Sequence, residues 1–81
     1  KDIADILHLK DSISLLKKYF HVLTPREQEI LVKRYGLLKE DEHTQKEIAH
    51  DLKISRSYVS RIEKRALSKV LREFMKSNQD L

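Results

Sequence analysis

Residues 44–72 read TQKEIAHDLKISRSYVSRIEKRALSKVLR, and this stretch decides the fold. Its apolar residues recur at helical spacing on both sides of a short turn, Lys53-Ile54-Ser55, and small Ala49 allows two helices to cross closely. The pattern predicts a helix-turn-helix. The apolar positions that support it are Ile48, Leu52, Ile54, Val59 and Ile62.

The second helix of this unit has one apolar and one cationic face when successive residues are placed about 100° apart. From Ser55 to Arg72 there are six bases and one acid, Glu63, so this helix alone exceeds the net charge of +4 of the whole chain. Such a surface suits a DNA duplex, because phosphates attract the cations and side chains at the helix N-terminus can reach base edges. The plainer interpretation is a solvated basic helix that covers a core. The packing sector holds Val59, Ile62, Ala66 and Val70, and the polar sector holds Arg56, Ser57, Ser60, Arg61, Lys64, Arg65 and Arg72.

Composition predicts one small all-α domain, a bundle of four to five helices ending in a long recognition helix. The chain has 81 residues with 40% hydrophobic and 37% charged, a globular composition. It contains one Gly and one Pro, and no stretch alternates apolar and polar residues as a half-buried strand would. The lack of Cys excludes disulfide scaffolds, thiolate catalysis and Cys-based zinc sites. No apolar run approaches the ~20 residues of a membrane span, so we expect a cytoplasmic fragment of a longer protein.

The first twenty residues carry apolar positions at helical spacing in 2–9 and again in 12–20, where Asp11 can cap the second segment. They predict one packing helix or two; the alternative is a linker that becomes ordered only in a longer parent protein. The polar tail is expected to fray. The predicted division is therefore 1–22 for packing, 23–76 for DNA binding and 77–81 for the tail, in one compact unit.

Two helix starts carry the same capping chemistry. Thr24 and Thr44 are each followed three residues later by an acid, Glu27 and Glu47, which predicts a reciprocal pair of hydrogen bonds at each start. Pro25 also fits the first helical position.

The predicted helix ends and connections depend on a few single residues. Gly36 can turn left-handed to close the first capped helix. Lys53 occupies a position that tends to need positive φ, at a cost of about 1 kcal/mol. Ser55 is expected to cap the recognition helix, which we extend to about Phe74. The connection 37–43 is acidic and should face away from DNA.

Four motifs follow one another along residues 23–74: LTPRE, RYG, TQKEIA and SRSYVSRIEKRAL. Together they resemble the C-terminal promoter-reading domain, region 4, of bacterial RNA polymerase sigma factors, and most of all the late sporulation sigma factors. The resemblance implies a domain that binds the minus-35 promoter element in the major groove and docks on the β flap of RNA polymerase core. It implies a sigma factor that directs polymerase to promoters without catalysing a reaction, with an anti-sigma protein as a further candidate partner. It implies no cofactor, membrane or small-molecule substrate.

The resemblance also implies roles for individual residues. Ser57 and Arg61 stand where housekeeping members carry an acid and a Gln. Since Ser cannot accept from cytosine as a carboxylate does, and Arg suits guanine O6 and N7, we expect a different preferred minus-35 sequence. The residues implied to read bases are Arg56, Ser57, Tyr58, Ser60 and Arg61, and those expected at phosphates are Arg26, Arg34, Gln45, Lys46, Ser55 and Lys64.

Other functions remain to be compared with this one. The main alternative is a helical protein-interaction module with a solubilising basic face. A sigma domain would combine both functions, using either an apolar surface of Ile30, Leu31, Leu37 and Leu38 or the C-terminal helix. A dimeric response regulator also carries a helix-turn-helix, but the motif order and the long basic C-terminal helix argue against it.

A metal site and an enzyme are both unfavourable. His43, Glu47 and His50 fall along one helix side, but Glu47-x-x-His50 occurs once, whereas di-iron bundles need this motif twice with further carboxylates. Glu47 also has the capping role. There is no glycine-rich phosphate loop and no convincing nucleophile-base pair, so we expect no catalytic residue, metal or cofactor.

Overall fold

The computed structural model describes residues 12–39 and 41–78. Within them the chain is helical and has no strand, which confirms the predicted all-α fold. The predicted helix of residues 2–9, the cap at Asp11 and residues 79–81 lie outside the described part. The helices are α1 (Ser12–Lys18), α2 (Pro25–Tyr35), α3 (Gln45–Leu52) and α4 (Arg56–Asn78), with short 3-10 helices at Phe20–Val22 and Leu37–Lys39.

Both predicted capping boxes are present. At the start of α2 the Thr24 hydroxyl accepts from the Glu27 amide at 3.2 Å, and the Glu27 carboxylate accepts from the Thr24 amide at 2.9 Å. At the start of α3 the corresponding distances between Thr44 and Glu47 are 3.1 and 2.8 Å. Each box satisfies amides that the first turn of a helix leaves without partners. The local sequence therefore determines where both helices begin.

Among residues 12–39 and 41–78, three with positive φ shape the connections. Gly36 (φ 64°) ends α2 and Lys53 (φ 58°) ends α3, which confirms the left-handed conformations predicted at these positions. Leu38 (φ 54°) is the third and was not predicted. A leucine has no intrinsic preference for this region, and its side chain is 67% exposed, so no packing pattern marks it in the sequence. The His43 amide donates to the Lys33 carbonyl at 2.8 Å and ties the end of this connection back to α2.

Helix α4 continues to Asn78, beyond its predicted end near Phe74, and only residues 77 and 78 of the tail predicted to fray belong to the described part. Phe74 packs against the hydrophobic core, and the Tyr19 hydroxyl donates to the Ser77 hydroxyl at 3.2 Å. These contacts add tertiary support to a segment, Glu73 to Lys76, composed largely of residues that tolerate helix well. The last turns of α4 are therefore held by the segment that follows α1.

The core consists of two hydrophobic clusters, and α4 passes through both. The turn cluster joins α2, α3 and the first half of α4, and the bundle cluster joins α1, α2 and the second half of α4. Two adjacent residues of α2 belong to different clusters: Ile30 packs in the turn cluster and Leu31 in the bundle cluster. The turn cluster contains Ile30, Ile48, Ala49, Val59 and Ile62, and the bundle cluster contains Leu16, Tyr19, Leu23, Leu31, Leu37, Ala66, Leu67 and Val70.

The core also corrects one prediction about the surface. Ile30 and Leu31 are 0% exposed and Leu37 is 3% exposed, so the apolar docking surface predicted from these residues with Leu38 does not exist as such. The reason is that α2 packs on two sides, which buries adjacent positions that a single-faced helix would divide between core and solvent. Of these four residues, only Leu38 remains exposed.

Within the described residues, no helix is both long and apolar enough to span a bilayer.

Candidate nucleic-acid interface

The predicted helix-turn-helix is formed by α3, the turn at Lys53 and α4. The Ile54 amide donates to the Ala49 carbonyl at 3.0 Å, and the Ser55 hydroxyl accepts from the Tyr58 amide at 3.1 Å, which confirms Ser55 as the cap of α4. The turn cluster holds the two helices together behind this turn. The first turns of α4 are therefore supported by packing against α3 and by the hydrogen bonds of the turn.

All five predicted base-reading residues are exposed at the start of α4. Arg61 is partly oriented by its neighbour, since its guanidinium carbon lies 5.9 Å from the centre of the Tyr58 ring, within the range of a cation-π contact. Tyr58 itself remains 45% exposed. The five residues are Arg56, Ser57, Tyr58, Ser60 and Arg61.

The outward face of α4 is cationic, and from Arg56 to Arg72 no acid dilutes it. The one acid in this stretch, Glu63, is 7% exposed and turned inward. Lys69 is also directed inward, to a carboxylate on α2. Positive charge that is not paired along the helix remains available to a polyanion. The exposed bases of this stretch are Arg56, Arg61, Lys64, Arg65 and Arg72.

The residues expected at phosphates fall into two groups. Lys46, Ser55 and Lys64 are exposed beside the recognition helix or on it, and Arg26 is exposed in the first turn of α2, where it lies 3.8 Å from Glu29. Such an exposed pair is weak and does not withhold the Arg26 charge. The second group, Arg34 and Gln45, makes contacts inside the domain.

Glu63 joins several predicted residues of this region, although the sequence did not predict a role for it. Its Oε2 accepts from the Tyr35 hydroxyl at 2.6 Å, and its Oε1 accepts from the Gln45 amide at 2.8 Å. The Arg34 Nε lies 3.4 Å from the same Oε1, an ion pair without hydrogen-bond alignment. Burial, together with the adjacent Glu63 carboxylate, raises the pKa of the Tyr35 phenol, so Tyr35 remains the donor. A signal existed in the sequence, since an acid four residues after Val59 lies beside the packing sector.

Arg34 is the most constrained of the residues expected at phosphates. Its Nη1 donates to the His43 carbonyl at 3.4 Å, and its guanidinium carbon lies 5.7 Å from the centre of the Tyr35 ring. Contact with phosphate would require it to share or leave these partners. Its role at DNA stays a prediction.

A second buried carboxylate joins α2 to α4. Glu27 is 4% exposed, and its Oε1 lies 2.9 Å from the Lys69 ammonium nitrogen. Burial alone would raise the pKa of Glu27, but the Lys69 ammonium and the Thr24 amide and hydroxyl outweigh it and lower the pKa from its ordinary value of 4.5. The Lys69 ammonium on α4 and the Thr24 cap on α2 therefore keep Glu27 a carboxylate despite its burial.

The three histidines of the described residues, His21, His43 and His50, do not converge with acids into a larger cluster. His43 Nδ1 lies 3.9 Å from Glu47 Oε1, while Glu47 makes the capping bond that was predicted for it. Across residues 12–39 and 41–78, no three His, Cys, Asp or Glu side chains are grouped so that they could hold a metal ion.

A short α3, a tight turn and a long α4 with an undiluted cationic face define a helix-turn-helix domain of the DNA-binding type. The match to known families is more specific. Residues 19–72 match the family Sigma-70, region 4, and the chain belongs to this family. The family predicted from the four motifs is thereby confirmed.

Individual relatives agree with the family. The chain is 48% identical over 80 residues to the RNA polymerase sigma-28 factor of Bacillus thuringiensis subsp. kurstaki, covering 99% of this chain and 34% of that protein. It is 46% identical over 80 residues to the RNA polymerase sigma-K factor of Bacillus subtilis strain 168, covering 99% and 27%. It is 48% identical over 54 residues to the RNA polymerase sigma-E factor of Clostridium acetobutylicum, covering 67% and 23%. The chain thus spans about a third or less of these curated relatives. No solved structure gave a significant match.

Proposed function

We propose that this domain binds the minus-35 element of promoter DNA, with α4 in the major groove, as part of a sigma factor that directs RNA polymerase to promoters. The observation that carries the proposal is the outer face of α4, where exposed cations meet no exposed acid between Arg56 and Arg72. Membership of the region 4 family supports it, as do relatives that are themselves named RNA polymerase sigma factors.

In this proposal, phosphate contacts position the domain and base contacts select the site. Lys46 at the start of α3 and Lys64 on α4 attract the backbone, and the N-terminal end of α4 adds its positive dipole. Arg56 and Arg61 discriminate bases from the first turns of α4, because each can donate two hydrogen bonds to guanine. The Tyr58 ring restricts Arg61 before binding, which reduces the side-chain entropy lost in the complex.

The proposal predicts strong dependence on salt and modest affinity for the isolated domain. If about four phosphates are neutralised, log K should fall with log salt at a slope near −4. Other promoter contacts, held on the same polymerase, would raise the effective concentration of this one.

We further propose that the domain docks on the β flap of RNA polymerase core through the surface around Leu38. Leu38 is 67% exposed and borders a groove of about 380 Å³ whose lining includes Phe20, Pro25 and Val32. Gln28, Glu29 and Lys33 also line the groove, so an exposed leucine beside it suits an amphipathic segment of a partner, with apolar and polar side chains. An anti-sigma protein would compete for the same groove if it recognises this surface.

Fluorescence anisotropy tests DNA reading directly. The chain is first used to enrich a duplex from a randomised pool, and that duplex is compared with a base-shuffled duplex at two salt concentrations. Arg61→Ala should reduce the preference between the two duplexes, whereas Lys46→Ala should weaken both alike. Arg72→Ala, at an exposed position farther along α4, is the control for loss of one charge on the same helix.

Two outcomes would count against the proposal. Equal binding of both duplexes by the unmodified chain would favour a protein-interaction module with a solubilising basic face. If the unmodified chain discriminated but Arg61→Ala lowered both affinities equally, the assignment of Arg61 to base reading would be wrong.

A further inference from the structure

The buried carboxylate of Glu63 connects α2, α3 and α4 at one point. Its donors come from the last turn of α2, where Tyr35 lies at 2.6 Å, and from the first residue of α3, where Gln45 lies at 2.8 Å. Along α4, Glu63 directly follows Ile62 of the turn cluster and precedes Ala66 of the bundle cluster. It therefore lies where the two halves of the core meet.

We propose that Glu63 is a positioning residue, which holds the first turn of α3 at a fixed distance from α4 and so aligns phosphate contacts with base contacts. This inference rests on the proposed function. At one end, α3 and α4 are joined by the turn and by the turn cluster behind it. Gln45 lies at the opposite end of α3, about 10 Å along the helix from Leu52. The Gln45–Glu63 hydrogen bond supplies a second point of attachment, and two separated points define the crossing angle.

A carboxylate suits this position because its neighbours are all donors. The Tyr35 hydroxyl, the Gln45 amide and the Arg34 guanidinium face the two oxygens of Glu63, and a carboxylate accepts at both. A glutamine in its place has one acceptor oxygen, and its own amide donors would oppose a donor from α2 or α3. One of these partly buried hydrogen bonds would be lost, and α3 would be free to shift relative to α4.

The phosphate contact is expected near Gln45 and Lys46, and the base contacts near Arg56 and Arg61. A shift between α3 and α4 changes the distance between these groups. A molecule that keeps its phosphate contacts then presents the arginines off register to the bases. The consequence is lost discrimination, not uniformly lost affinity.

Simple electrostatics predicts the opposite effect for Glu63→Gln. Removing an acid from a domain that binds a polyanion should strengthen binding to every duplex. Glu73→Gln removes the same charge from the same helix at a partly exposed position and serves as the matched control. The two variants separate the effect of charge from the effect of position.

The experiment measures anisotropy of the 81-residue chain on its enriched duplex and on a base-shuffled duplex, below the unfolding transition of each variant. For Glu63→Gln we expect the ratio of the two affinities to fall by about tenfold, as when one well-placed base contact is lost. For Glu73→Gln the ratio should stay within about twofold of the unmodified chain. A loss of stability alone would reduce the folded fraction for both duplexes equally and leave the ratio unchanged.

Two further variants keep the inference testable if Glu63→Gln does not fold. Gln45→Leu removes the α3 donor at a partly exposed position and should also lower the ratio, whereas a pure phosphate role would weaken both duplexes alike. The exchange of both residues, Gln45→Glu with Glu63→Gln, restores a hydrogen bond with donor and acceptor reversed and should recover part of the ratio.

The outcomes distinguish this inference from the function on which it rests. If the unmodified chain does not discriminate between the duplexes, promoter reading fails and the positioning role fails with it. If the unmodified chain discriminates, and the ratio for Glu63→Gln or Gln45→Leu equals that for Glu73→Gln, only the role of Glu63 is overturned.

Discussion

Replacing Lys69 by Met should destabilise the domain because it leaves a buried carboxylate without its cation. The Lys69 ammonium nitrogen lies 2.9 Å from Glu27 Oε1 and joins the second half of α4 to the first turn of α2. Methionine preserves most of the aliphatic stem, so packing changes little. The substitution therefore measures mainly the charge interaction.

The expected loss in the free energy of unfolding lies between the contributions of surface ion pairs and of fully buried ion pairs. Exposed pairs contribute at most about 1 kcal/mol, and removing one partner of a fully buried pair costs about 3–5 kcal/mol. The Glu27 side chain is 5% exposed, but that of Lys69 is 33% exposed and its charge is partly screened. Glu27 also keeps its bond from the Thr24 amide. We expect a loss of about 2 kcal/mol at neutral pH, or roughly 8–16 °C in Tm for a domain of this size.

The pH dependence provides an independent check. The pKa of Glu27 in the folded domain is lowered below its ordinary value of 4.5, so its contribution to stability is present above about pH 4.5. It is lost as the pH falls through the lowered pKa, because the carboxylate must be protonated. Without Lys69 the effect of burial is less opposed, and the pKa of Glu27 should rise. The stability difference between the unmodified chain and Lys69→Met should therefore narrow below pH 4.5.

Urea unfolding followed by far-UV circular dichroism, at neutral pH and at about pH 3, measures both effects. Lys64→Met is the control, since Lys64 is exposed on the same helix and its loss should cost less than about 0.5 kcal/mol. Glu27→Gln combined with Lys69→Met removes the unpaired charge and should recover about half of the loss. A Lys69→Met variant as stable as Lys64→Met at neutral pH, or a difference that does not narrow in acid, would refute this reasoning.

Two further predictions concern the left-handed residues. Lys53→Gly should raise the free energy of unfolding by up to about 1 kcal/mol, because glycine adopts φ 58° without a steric cost. Lys53→Ala, which keeps that cost, should not, and equal stability of the two variants in urea unfolding would contradict the prediction. Leu38→Asn should stabilise the domain slightly, since Asn tolerates positive φ, and should weaken binding to RNA polymerase core in a pull-down without changing affinity for DNA. Unchanged polymerase binding would remove Leu38 from the proposed docking surface.

The features that the sequence predicted are those whose causes lie within a few residues. A capping box needs only Thr24 and Glu27 in the right spacing, and the position after α3 requires positive φ whichever residue occupies it. The crossing of α3 and α4 follows from apolar spacing on both sides of a turn. Each of these causes is contained within a short segment of the chain. None of them depends on how distant segments pack.

The features that the sequence did not predict depend on contacts between distant segments. In the sequence, Lys69 is one more base on a cationic helix. Only the folded domain places it beside Glu27 of α2, which is 42 residues away in the chain. The sequence predicted Ile30 and Leu31 as part of an apolar docking surface. Both are buried, because α2 packs on two sides. Helix α4 extends beyond its predicted end for the same reason, since Ser77 accepts a hydrogen bond from Tyr19, 58 residues away in the chain.

Three of the four motifs that carry the family resemblance meet at one buried side chain, that of Glu63. RYG contributes Arg34 and Tyr35, TQKEIA contributes Gln45, and all three face the Glu63 carboxylate of the SRSYVSRIEKRAL segment. LTPRE contributes Glu27, whose cation is Lys69 of α4, which lies just beyond the last of the four motifs. A buried carboxylate is stable only when its donors are supplied together, because each missing donor leaves part of its desolvation cost uncompensated. Both acids are satisfied inside the domain, and between Arg56 and Arg72 the outer face of α4 carries exposed cations and no exposed acid.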